Sequence, residues 1–163
     1  RHTIGWHSHG INGIRLSGLL DHLKTAELPA VDATLLSMGV NDTTGLTSRR
    51  RYREQLRILA GGLPKPLYLL SVPPMHRFTA LPSPLRQLLG WRARQLDAIQ
   101  QQLARERPDD FIYLSYPPMN DPALLAEDGY HPSIKGYQAM ATALAPALAA
   151  RLLTWKETQG GVG

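Results

Sequence analysis

The sequence predicts an α/β protein, a three-layer α/β/α sandwich on a mainly parallel sheet. Three observations carry that expectation. Continuous apolar runs of strand length occur at 32–38 ("DATLLSM"), 66–72 ("PLYLLSV") and 111–116 ("FIYLSY"). Segments with leucine at helical spacing alternate with these runs. The runs lack polar alternation, as strands covered on both faces of a parallel sheet do.

In chain order, "TIGW" at 3–6 reads as a short strand and "GING" at 10–13 as a turn. From Ile14, the residues Leu16, Leu19, Leu20 and Leu23 recur at helical spacing. After the run at 32–38, Ser48 reads as an N-cap for a helix carrying Tyr52, Leu56 and Leu59 and ending near Gly61-Gly62. The run at 66–72 leads into a proline-rich loop, "PPMHRFTALP". Ser83-Pro84 then reads as a cap with proline at the first helical position. The long helix that follows places Leu85, Leu89, Leu96, Ile99 and Leu103 on one face. Beyond the run at 111–116, Pro132 opens a last helix with Ile134, Tyr137, Met140, Leu144 and Leu148. Residues 160–163 read as a frayed tail.

With 163 residues and neither repeat nor linker, the chain reads as a single domain, 1–163. Its 43% hydrophobic and 19% charged residues fit a globular protein with a substantial core. No apolar run approaches the ~20 residues that span a bilayer, so no membrane span is expected. The absence of cysteine excludes disulfides and thiolate chemistry. A net charge of +5 raises a nucleic-acid reading. The arginines, however, are scattered over helix-patterned segments from "RRRYR" to Arg151, with little aromatic interleaving. Solvated helix faces explain them better.

Two loops carry chemistry. Gly39-Val40-Asn41-Asp42 follows the first long apolar run. A glycine there lets the chain turn tightly. A carboxamide supplies two neutral donors, the equipment for stabilising a developing oxyanion. The same residue types also make ordinary turns. The second loop holds Asp128 and His131, three apart and directly before Pro132. An imidazole can serve as a general base, and a neighbouring carboxylate can orient it and stabilise its cation. A surface carboxylate beside a capping histidine has the same spacing.

G-x-N-D after a strand, followed much later by D-x-x-H-P before a helix, resembles the SGNH (GDSL-type) hydrolase superfamily. The resemblance extends from Ile11 to about Leu152. It implies a flavodoxin-like α/β fold, a small-molecule ester substrate and no metal or organic cofactor. It also implies roles: Asp128 and His131 in a triad with a serine, and an oxyanion hole from Asn41 and Gly13, the latter in "GINGIRLSGLL". One departure stands out. The G-D-S block that supplies the family's nucleophile is absent. Ser8, in "WHSHG", has neither Gly nor Asp before it, and Ser17 lies within a helical pattern. The resemblance thus leads us to expect a missing first strand and an incomplete N-terminus. An inactive relative, or a chain completed by a partner segment, are the alternatives.

Met75, Phe78 and Tyr130, with Leu81, Trp91, Met119 and Tyr116, are candidates to line an acyl site beside these loops. Ordinary packing explains them equally well. His76 reads as a solvated loop residue. The cluster His2, His7 and His9 lacks a carboxylate or cysteine at ligand spacing, so no metal is expected.

Overall fold

The computed structural model describes residues 5–118 and 120–159, with 151–159 as backbone alone. The elements run α1 (Leu16–Leu23), β1 (Thr34–Ser37), α2 (Val40–Thr44), α3 (Arg49–Gly62), β2 (Leu67–Leu70), α4 (Leu85–Glu106), β3 (Phe111–Leu114) and α5 (Ile134–Gln159). Short 3-10 turns occupy Met75–Arg77 and Pro122–Leu124. The three strands are parallel in the order β1-β2-β3. The fold is therefore α/β, as the sequence predicts.

Side-chain alternation along β2 divides the core in two. Leu67 and Leu69 share one side with Leu36 of β1 and Phe111 of β3. That side packs against Leu16 of α1, Tyr52, Leu56 and Leu59 of α3, and Leu89, Leu96, Ile99 and Leu103 of α4. Tyr68 and Leu70 face the other way with Leu114, against Leu144, Met140 and Leu148 of α5. Helices thus cover both faces of β2, whose four residues are all buried. Polar alternation would have exposed half of them.

Several sequence expectations need correction. β1 is not covered on both faces: only Leu36 is buried, and Leu35 is 47% exposed. Leu35 pairs in register with Tyr68, on the side that α5 covers, but it lies at the sheet margin. Of the expected strand at 3–6, Thr3 and Ile4 lie outside the described residues, while Gly5 and Trp6 have no regular structure. Ser83 is not the cap of α4. Pro84 occupies that position without a side-chain bond, and Arg86 N–H reaches the Pro82 carbonyl at 2.9 Å. Pro132 does not open α5 but forms a bridge with Leu125. Ser133 caps the helix, its Oγ accepting from Gly136 N–H at 3.1 Å. Leu85, Ile134 and Tyr137 point outward rather than into the core. The tail at 160–163 lies outside the described residues.

Parallel register matters for function because it puts all three strand exits on one edge. Ser37, Leu70 and Leu114 end their strands side by side. The loops that follow, including both chemical loops, leave from that same edge, where α/β folds place their ligands.

Candidate active site

The Gly39–Asp42 segment is shaped by neighbours from several elements. Gly39 has φ 119°, and a Cβ there would stand 2.6 Å from Val72 Cγ2 and 3.0 Å from the Tyr52 hydroxyl. Only glycine suits both that conformation and that clearance. The chain turns at once into α2, and Arg92 of α4 holds its end: the guanidinium donates to Thr43 O at 3.4 Å and, just beyond the helix, to Thr47 O at 3.1 Å. A cation at the end of a short helix is well placed electrostatically.

Asp42 is fully buried. Its carboxylate accepts from the backbone N–H of Leu16 at 3.1 Å and from the Thr47 hydroxyl at 2.9 Å. Arg15, the residue that starts α1, offers no side-chain cap of its own, so Asp42 caps α1 from across the fold. Burial pushes the Asp42 pKa up, opposed by the bonds from Thr47 and Leu16 and by the charge of Arg15. The carboxylate clamps the start of α1 against the β1 exit.

That clamp brings the first two sequence candidates together. Asn41 Nδ2 donates to the Ile14 carbonyl at 3.1 Å, immediately after Gly13. One amide hydrogen is thereby fixed, and the second remains a donor in a set orientation. Gly13 sits in a turn with φ 71°. Its N–H makes no hydrogen bond among the described residues. Two donors, one backbone and one side-chain, therefore lie together beyond β1.

The other chemical loop is equally well defined. His131 Nδ1 lies 2.6 Å from Asp128 Oδ2. Asp128 Oδ1 accepts from the backbone N–H of Tyr130 at 2.9 Å and of His131 at 3.0 Å. The backbone N–H of His131, then its ring, then the N–H of Tyr130 hold the Asp128 carboxyl down to about 2. The ring is 72% exposed. Its Nε2 has no partner among the described residues, which leaves that nitrogen available as a base. Gly129, at φ 68°, permits the loop to seat on Thr79 and Ala80: a Cβ would lie 2.5 Å from Thr79 Oγ1.

The remaining candidates divide by burial. Met75 and Phe78 lie in the core cluster. Phe78 still meets the partly exposed Tyr130 ring edge to face, with centroids 6.0 Å apart. Trp91 is half exposed on α4. Tyr116 packs with the α5 cluster, and Met119 lies outside the described residues. His2 likewise lies outside them. Among the described residues no group of three potential ligands could hold a metal ion. His9 instead pairs with His22, Nε2 to Nε2 at 2.7 Å. No serine is hydrogen-bonded to His131 among the described residues.

No hydrogen bond or ring contact joins the Asn41 cluster to the His131 cluster among the described residues. They follow β1 and β3, with β2 between. Adjacent strands lie about 4.8 Å apart, so the two exits are separated by about 10 Å along the edge. Two depressions, one between α1 and α3 and one between α4 and the β2 and β3 exits, are lined by neither Asn41 nor His131.

A family model for GDSL-like lipases and acylhydrolases matches residues 2–139. The chain belongs to the GDSL-like lipase/acylhydrolase family. The match runs through both chemical loops and ends inside α5. Membership supports acylhydrolase-type action on esters. No curated protein matches the GDSL-like chain. No described helix is long and apolar enough to cross a membrane.

Sequence reasoning missed three contributors to this GDSL-like site. Asp42 was visible in the motif, but its cap on α1 needs a contact 26 residues away. Arg92 and Asp97 lie among the polar positions of α4, where nothing local separates them from solvated neighbours. Asp97 accepts from Val72 N–H at 2.9 Å and from the Tyr113 hydroxyl at 2.8 Å, tying α4 to the β2 and β3 exits.

Proposed function

We propose that this chain hydrolyses carboxylic esters of small molecules, with short acyl or acetyl groups, by acyl transfer to a serine. The observation that carries the reading is the Asp128–His131 pair, with Nδ1 engaged at 2.6 Å and Nε2 unpartnered among the described residues. In this mechanism His131 Nε2 takes the proton of the serine hydroxyl as its oxygen bonds to the ester carbon. The carbonyl π electrons move onto oxygen. Asp128 keeps the ring oriented and balances the imidazolium. The Gly13 N–H, the free Asn41 N–H and the serine's own N–H stabilise the oxyanion. Collapse of the tetrahedral intermediate expels the alcohol, which receives the proton from His131. Water then repeats the sequence on the acyl-enzyme and returns the serine.

The natural full-length protein tests this directly with 4-nitrophenyl acetate and butyrate. Ester hydrolysis lost on His131→Ala, together with a fluorophosphonate adduct on one serine found by mass spectrometry, supports it. The adduct also identifies the nucleophile. Undiminished hydrolysis by His131→Ala sinks the triad. Absence of both hydrolysis and adduct favours a binding protein that uses the same fold without catalysis.

A further inference from the structure

A second depression lies on the same sheet edge, on the α4 side of the β2 and β3 exits, with a volume of about 260 Å³. That is below the roughly 300 Å³ at which pockets begin to enclose a whole drug-sized ligand, so it suits one substituent of a larger molecule. Two proline pairs, Pro73-Pro74 and Pro117-Pro118, line it and limit backbone movement there.

The charges in this depression are unequal. Arg94 of α4 lines it and makes no hydrogen bond or ion pair among the described residues. Arg77 lines it too, its guanidinium held by the Asn120 side chain. The single acid, Asp97, accepts three hydrogen bonds: from Val72 N–H on Oδ1, and from the Tyr113 hydroxyl and the Gln101 amide on Oδ2. It forms no ion pair with Arg94 among the described residues, and two arginines face this one acid. His76 borders the same space, and burial, then the fields of Arg77 and Arg94, hold its pKa down. A positive potential accounts for the last two effects.

We propose that this depression binds a compact oxyanion, a carboxylate or a phosphate, carried by the ester substrate, with Arg94 as its principal counter-charge and Arg77 as the second. Guanidinium groups suit both anions by forked donation. The assignment of the anion to an ester substrate rests on the hydrolase reading above; the anion site itself does not. Chain neighbours link the depression to the His131 loop. Arg77 precedes Phe78, whose ring meets Tyr130 beside His131, and its partner Asn120 lies in the loop that leads to Asp128. The depression and the His131 loop both lie beyond the strand exits.

The test uses the natural full-length protein and its Arg94→Gln and Arg94→Lys variants, with thermal unfolding to verify folding. Glutarate and inorganic phosphate are titrated separately by calorimetry. Saturable binding of either, weakened roughly tenfold in Arg94→Gln and less in Arg94→Lys, supports the proposal. Glutarate alone identifies a carboxylate, phosphate alone a phosphoryl group. Binding of neither, or equal binding by Arg94→Gln, overturns it. In parallel, kcat/KM for mono(4-nitrophenyl) glutarate relative to 4-nitrophenyl butyrate falls about tenfold in Arg94→Gln. An unchanged ratio contradicts the substrate assignment. Anion binding without any ester hydrolysis defeats the hydrolase reading and leaves the anion site standing.

Discussion

Asp128 illustrates how much a single exposed carboxylate can be shaped by its own loop. Two backbone N–H groups and one ring nitrogen converge on it, and its pKa falls from 3.8 to about 2. It stays ionised throughout the range in which a hydrolase works. Carbon-detected NMR of the Asp128 carboxyl is expected to show a midpoint near 2. His131→Ala removes the ring but keeps the backbone donor that contributes most, so the midpoint should rise only part of the way to 3.8. Asp42 has the opposite sign. Its folded-state pKa lies above 3.8, so its protonated form is the one folding favours. That contribution is fully present below pH 3.8 and is lost as pH rises through the raised value. An asparagine can accept from Leu16 N–H and donate to Thr47 Oγ1, so Asp42→Asn should gain stability relative to the parent as pH rises from 3 to 7. Asp42→Ala leaves both donors unpaired and should cost about 1–3 kcal/mol. Chemical denaturation across that pH range measures both. At this scale the D-x-x-H spacing was readable because both partners and all their bonds lie within four residues. The Asp42 cap was not, because its donor is 26 positions distant.

At the scale of elements, the strand exits depend on backbone freedom and the helices on caps. Gly39→Ala places a Cβ against Val72 and demands a left-handed conformation of a residue that disfavours it. A loss of more than about 1 kcal/mol is expected, with esterase activity falling as the Asn41 turn is displaced; denaturant midpoints and ester turnover report the two effects. Ser48 caps α3 by accepting from Arg51 N–H at 3.3 Å, and Ser48→Ala should cost about 1 kcal/mol in the same denaturation assay. Ser48 was legible because it directly precedes a strong helical pattern. Ser83 and Pro132 misled for a related reason. Serine-proline and histidine-proline at a helix entrance resemble a start signal, but the bridge between Leu125 and Pro132 and the turn at Pro82–Pro84 delay each helix by a residue or two. At α5 the start is set by the strand-like bridge before it, at α4 by the local turn.

Across the whole molecule, one geometric fact gives the fold its use: three parallel strands end together, so loops distant in sequence share an edge. The α/β class was legible because it needs only alternating periodicities. The burial of individual strands was not, since "DATLLSM" and "PLYLLSV" look alike in sequence and differ only in lateral position. β2, paired on both sides, should retain its amide hydrogens longest, and β1, with Leu35 exposed, should exchange sooner; native-state hydrogen exchange on residues 34–37 and 67–70 resolves this. Function depends on whether the Asn41 donor beyond β1 and the His131 base beyond β3 serve one carbonyl across the width of β2. A double-mutant cycle on kcat/KM for 4-nitrophenyl butyrate, with Asn41→Ala, His131→Ala and the pair in the natural full-length protein, measures that coupling. Groups that act on one transition state can lose rate non-additively: the combined loss should fall well short of the product of the single losses, while Asn41→Ala alone costs roughly a hundredfold. Losses that simply multiply, or an Asn41→Ala enzyme at full rate, would contradict a shared reaction centre.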